Sequence, residues 1–135
     1  MKLMVGDYIL SFKEGGLEVH KSNKLLYFNK RPIFVTVKTK FAVSEFYDNT
    51  YNEITKVGSD IHAKGTMTVP SGSVFEFCDV FEIVNSGFRV SRKVKVQKAG
   101  DDLGFSTKVS FVMVESDSTH DYNCFAPGVW YKQNE

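Results

Sequence analysis

At 135 residues the chain is long enough to bury the core of one ordinary domain. Twelve Phe, 14% aromatics overall and only three Pro exclude a disordered chain and favour a packed, strand-rich one. Seventeen basic residues against sixteen acidic leave a net charge of +1, which excludes a general electrostatic field for nucleic acid or anionic lipid.

Residues 1–10 contain Lys2 and Asp7 and no uninterrupted apolar run, so they form neither a secretory leader nor a membrane span. Period-two patterning then takes over. Residues 8–12 read as a strand that runs into a Lys13-Glu14-Gly15-Gly16 turn, followed by strands at 17–20 and 25–28 around a Ser22-Asn23 turn. A longer strand is expected over 33–43, with Ile33, Val35, Val37, Phe41 and Val43 on one face and Pro32 at its start. Residues 47–60 are polar and read as a loop. Ile61, Ala63, Gly65, Met67 and Val69 alternate up to a Pro70-Ser71-Gly72-Ser73 turn. Phe75, Phe77, Phe81 and Ile83 alternate next, then Phe88, Val90, Val94 and Val96 beyond an Asn85-Ser86-Gly87 turn. A last strand is expected through Phe105, Thr107, Val109, Phe111 and Met113. No stretch carries a helical period, and turn signals every eight to fifteen or so residues point to an all-β antiparallel sandwich or a barrel, with the sandwich preferred.

Two charges interrupt apolar faces: Asp79 in the 75–83 run and Arg92 in the 88–96 run. A tight hairpin at 85–88 places them within about one pleat of each other across the strands. A lone buried charge is expensive, so the pair is expected to neutralise itself as an internal structural ion pair. Lys93, Lys95 and Lys98 on the same strand read as a solvated face.

Catalytic chemistry finds little support. His20 and His62 fall on polar strand faces and are expected to be exposed. His120 lies in Asp117-Ser118-Thr119-His120-Asp121, which offers carboxylates and an imidazole but reads more simply as a hydrophilic turn. There is no Gly-x-Ser-x-Gly elbow, and Glu76, Glu82 and Glu115 sit at ordinary solvent-facing positions. Cys78 and Cys124 have no metal-ligand spacing and read as two free thiols. No catalytic residue, metal or cofactor is assigned. The compartment stays open, with the cytoplasm favoured.

The densest unusual chemistry lies at 122–131, where Tyr122, Phe125, Trp130 and Tyr131 surround a Pro127-Gly128 turn. Flat aromatic rings beside a turn suit either stacking on a pyranose or packing on a neighbouring domain, and packing is preferred. So many aromatics near the end of the chain suggest that a further domain follows and that residues 1–135 are a single β-sandwich unit of a longer multidomain protein.

The stretch from Tyr122 to Tyr131 resembles the Phe-x-Pro-Gly-x-x-Tyr segment in the N-terminal β-domains of bacterial six-hairpin glycosidase-like proteins. The strand Phe88-Arg89-Val90-Ser91-Arg92-Lys93-Val94-Lys95-Val96 is similar to the Arg-x-Val-x-Val strand of the same domains. The resemblance covers the second half of the chain. It implies a galactose-mutarotase-like supersandwich that precedes an (α/α)6 toroid carrying the catalytic carboxylates. The function it implies is a non-catalytic accessory module of a carbohydrate-active protein. The implied partners are a helical catalytic domain and carbohydrate, with neither nucleic acid nor membrane. Two other readings stand beside it: a free-standing β-barrel that binds a small apolar ligand, and a protein-interaction module.

Overall fold

The computed structural model describes residues 1–85 and 87–114. These form an all-β, antiparallel fold of the β-sandwich-like class, with no helix among the described residues. Three sheets make it up. The first runs in the order β1 (Lys2–Val5), β2 (Tyr8–Lys13), β3 (Gly16–Lys21), β4 (Lys24–Asn29) and β12 (Phe111–Met113). The second runs β10 (Gly87–Lys98), β9 (Val74–Val84), β8 (Asp60–Thr68) and β7 (Glu53–Val57). The third has β11 (Gly104–Ser106), β5 (Ile33–Lys38) and β6 (Val43–Asp48).

The expected meander over 8–28 forms as β2, β3 and β4, and its turns explain why. Ser22 and Asn23 both take positive φ, 50° and 65°, between the paired Lys21 and Lys24. That is the signature of the two-residue turn whose twist matches antiparallel strands. Leu10, Phe12, Leu17 and Val19 then alternate inward and are buried. In the hairpin of β9 and β10, Val84 stands opposite Gly87 and Asn85 takes φ 52°.

The core lies where the three sheets meet. Phe12 of β2 and Phe81 of β9 contact edge to face at 4.9 Å, joining the first two sheets. Phe75 of β9 meets Phe105 of β11 at 4.9 Å, joining the second and third. Ile33 of β5 packs directly over Gly65 of β8, where a side chain has no room. Phe75, Phe77 and Phe81 are almost fully buried. Each contributes about 1.5–3 kcal/mol of apolar transfer energy.

Four features differ from the sequence pattern. The expected strand over 33–43 stops at Lys38, because Thr39 Oγ1 accepts from the amides of Phe41 at 3.3 Å and Ala42 at 3.2 Å and folds the chain back. Phe41 is consequently 95% exposed rather than in the core. The stretch 47–60 is not all loop: it holds the end of β6 and the whole of β7. The alternating run from Phe105 to Met113 is two short strands in different sheets, with β11 paired to β5 and β12 to β4. At the N-terminus, Leu3 and Val5 turn inward from β1, which pairs with β2.

Candidate functional site

Asp79 and Arg92 stand directly opposite each other in the β9–β10 register. Arg92 Nε donates to Asp79 Oδ1 and Nη2 to Oδ2, both at 2.6 Å, in a two-pronged fork. The Asp79 side chain is fully buried and that of Arg92 is 6% exposed. Tyr51, from the β6–β7 connection, donates its hydroxyl to Asp79 Oδ2 at 2.5 Å and accepts from Asn29 Nδ2 at 3.3 Å. Arg92 has further acceptors: Nη1 donates to Thr107 Oγ1 at 3.0 Å and to Lys108 O at 2.7 Å, and Nη2 to Pro32 O. Thr107 Oγ1 in turn donates to Phe34 O at 2.5 Å.

Burial is the main force raising the Tyr51 pKa far above its usual value, and the Asp79 charge and hydrogen bond add to it. The hydroxyl stays protonated. Burial opposes the charge on Arg92, but the hydrogen bonds and charge of Asp79 outweigh it and raise the Arg92 pKa. The hub is therefore a neutralised, hydrogen-bonded core cluster. It binds β9 and β10 to the segments at Pro32, Tyr51 and Lys108, and both Asp79 carboxylate oxygens and the Tyr51 hydroxyl are occupied by the protein itself.

The open chemistry lies elsewhere. An apolar cleft of about 380 Å³ opens between the inner face of the first sheet and the tip of the β9–β10 hairpin. Val5, Leu10, Val19 and Tyr27 form its floor and walls, with Tyr8, Phe88 and Phe111 at its mouth. The last three keep between 36% and 38% of their surface exposed. The Phe88 and Phe111 rings lie 6.3 Å apart, edge to face. The sequence pattern places Tyr8, Leu10, Val19, Tyr27, Phe88 and Phe111 in strands, but not Val5. It does not show that they meet, because the contact joins strands of two sheets.

A second, polar groove of about 240 Å³ lies on the outer face of β1, β2 and β3 and includes Lys2, Ser11, Lys13, Glu18 and His20. Glu18 accepts from Lys13 Nζ at 2.9 Å and lies 3.1 Å from His20 Nε2. The hydrogen bond from Lys13 holds the Glu18 carboxyl below its usual range against the opposing effect of burial, and His20 adds to the lowering. His20 and His62, expected to be exposed, are both half-buried. Cys78 is a free, half-buried cysteine.

Among the described residues no group of three or more His, Cys, Asp or Glu comes together to hold a metal ion. Tyr122, Phe125, Trp130 and Tyr131 lie outside the described residues, as do Glu115, His120 and Cys124. No protein-family model, curated protein or solved structure matches this chain.

Proposed function

We propose that this chain is a non-catalytic accessory β-sandwich module of a carbohydrate-active, glycoside-hydrolase-like protein, and that a neighbouring helical catalytic domain of that protein packs on its apolar cleft. The observation that carries the reading is the cleft itself. Three aromatic rings, Tyr8, Phe88 and Phe111, remain more than a third exposed around an apolar hollow of about 380 Å³. Contiguous exposed apolar surface of this kind is where another surface docks. A trough between a sheet face and a hairpin tip accepts the ridge of large side chains along a helix. The second-half sequence resemblance to β-domains that precede a helical toroid supplies the kind of partner.

The test is a calorimetric titration with the (α/α)6 toroid of a bacterial six-hairpin glycosidase expressed without its own β-domain. Tyr8→Asp and Phe88→Asp are run beside the parent, with circular dichroism to check folding. Saturable binding that both variants weaken at least tenfold supports the reading, whereas binding that ignores both variants overturns it.

The size of the cleft favours a second reading, since pockets for small ligands run from about 300 to 1,000 Å³. Saturable uptake of a fluorescent fatty-acid analogue that Phe88→Asp abolishes, with no response to the toroid, moves the conclusion to a binder of small apolar molecules.

A further inference from the structure

We propose that Lys30, Arg31 and Lys108 form a subsite for the anionic group of an acidic carbohydrate, a uronate carboxylate or a sulfate ester. The three line one surface pocket of about 150 Å³ together with Phe34, Ser110 and Val112. No carboxylate lines it among the described residues. Three like charges around one hollow repel one another, and an anion seated between them relieves that repulsion.

The cations come from two distant parts of the chain, the β4–β5 turn and the stretch between β11 and β12, and the fold clamps those parts together. Lys30 N donates to Ser110 O at 3.2 Å. The Arg92 guanidinium donates from one side to Pro32 O and from the other to Lys108 O. The buried hub thus fixes the backbone next to Arg31 and at Lys108 itself. A site on a fixed backbone loses less freedom when it binds.

Two of the three side chains are also held on aromatic rings. The Arg31 guanidinium lies 3.9 Å from the centre of the Tyr47 ring, and Lys108 Nζ lies 4.3 Å from that of Phe34. Phe34 and Tyr47 are partners in the β5–β6 register, so the two platforms are adjacent. A cation resting on a ring face keeps its remaining N–H groups free for an oxyanion. Of the acids of β6, Asp48 accepts from Thr50, and Glu45 shares a face with Tyr47, but neither lines the pocket.

Arg31 carries a further mark. It takes φ 56°, in the left-handed region, where the other non-glycine residues among those described are Ser22, Asn23 and Asn85. Short polar side chains suit that conformation through local hydrogen bonds, whereas arginine has no such compensation. Strain of this kind gathers at sites where a side chain must point one way.

A pocket well under about 300 Å³ holds one charged group rather than a whole ligand. The remainder of the ligand lies on the surface beside it. A chain of net charge +1 is poorly suited to a polyanion that needs many phosphate contacts at once. The anion site stands on its own geometry, and only its assignment to a carbohydrate rests on the function proposed above.

The test is low-salt calorimetry with four probes: trigalacturonate, maltotriose, inorganic sulfate and an oligothymidylate. Trigalacturonate is expected to bind saturably and maltotriose not at all. Lys30→Gln, Lys108→Gln and Arg31→Asn are each expected to weaken trigalacturonate about tenfold, the scale of one charge-assisted hydrogen bond. Asparagine accepts the backbone conformation at position 31. Lys56→Gln, exposed on β7, is the charge-matched control and leaves binding unchanged. Sulfate binding without trigalacturonate overturns the proposal and leaves an adventitious ion only. Equal or tighter binding of oligothymidylate overturns it in favour of nucleic acid, and no binding of any anion removes the site altogether. If trigalacturonate binds but the toroid titration is silent, the docking reading fails and this site survives; the reverse result removes this site alone.

Discussion

The Tyr51 hydroxyl and the Asp79 carboxylate meet at 2.5 Å across 28 positions of chain, and that contact draws the β6–β7 connection into the core. Tyr51 is 3% exposed, although it lies in a run of polar residues. Its burial comes from this partnership as much as from its ring.

Tyr51→Phe removes one donor from Asp79 and the acceptor of Asn29 Nδ2, while Asn29 Oδ1 already lacks a protein partner. A loss of about 1–3 kcal/mol is expected, read as a lower urea midpoint at unchanged slope. The same residue sets the alkaline limit. Its folded pKa lies above the ordinary value of 10.0, so the folded state holds its proton more tightly than the unfolded chain. That contribution is complete below pH 10 and is lost as pH rises above it, by up to about 1.4 kcal/mol per pH unit. Urea midpoints at pH 9 and pH 11 should differ less in Tyr51→Phe than in the parent.

Breaking the buried fork from one side should be severe. Arg92→Leu leaves the Asp79 charge uncompensated and is expected to cost about 3–5 kcal/mol, with Asp79→Leu in the same range. The double variant Asp79→Leu/Arg92→Leu should recover a large part of that loss. An additive result in the double-mutant cycle shows that the two side chains do not act as a unit.

Two glycines separate backbone contact from side-chain contact. A methyl group added at Gly100 strikes Ser71 O and lies 2.6 Å from Ser73 N, both main-chain atoms of the facing turn. One added at Gly65 strikes the end of the Ile33 side chain. Both alanine variants should destabilise, by about 1–3 kcal/mol for Gly65→Ala and by more for Gly100→Ala. Thermal midpoints of the two variants check the order.

Glu18 governs a smaller effect on the acid side. Its folded pKa is lowered from 4.5, so its contribution is complete above that value and is lost as pH falls through the lowered one. The Lys13 and Glu18 side chains are 63% and 29% exposed, so the contribution stays below about 1 kcal/mol. Glu18→Gln should flatten the stability profile between pH 5 and pH 3, measured as the urea midpoint at each pH.

What could be read from the sequence follows its physics residue by residue. Strands that bury one face announce themselves, as Phe75, Phe77 and Phe81 do in β9, and so do turns that need left-handed residues, such as Asn23 and Asn85. The edge strand β6 hides, because Val43 and Tyr47 are exposed and Phe46 alone of its apolar residues packs on the core. Alternation also carries no information about partners. The run from Phe105 to Met113 keeps its period while passing from one sheet to another. The pairing of Asp79 with Arg92 could be anticipated from hairpin register. The remaining acceptors of Arg92 could not, since the carbonyls of Pro32 and Lys108 leave no mark in a sequence. The cationic pocket is hidden for the same reason: Lys30 and Lys108 become neighbours only through that backbone clamp.

The sheet switch after β11 has a consequence for synthesis of the chain. Strand β4 has β3 on one side from early in translation, but its other edge waits for β12, with Phe28 pairing to Val112. Until that segment has left the ribosome, β4 is an open edge with amides and carbonyls free to pair with another nascent chain. Closing so long a loop is slow, so the late arrival of three residues sets the period in which the newborn protein is most exposed to aggregation.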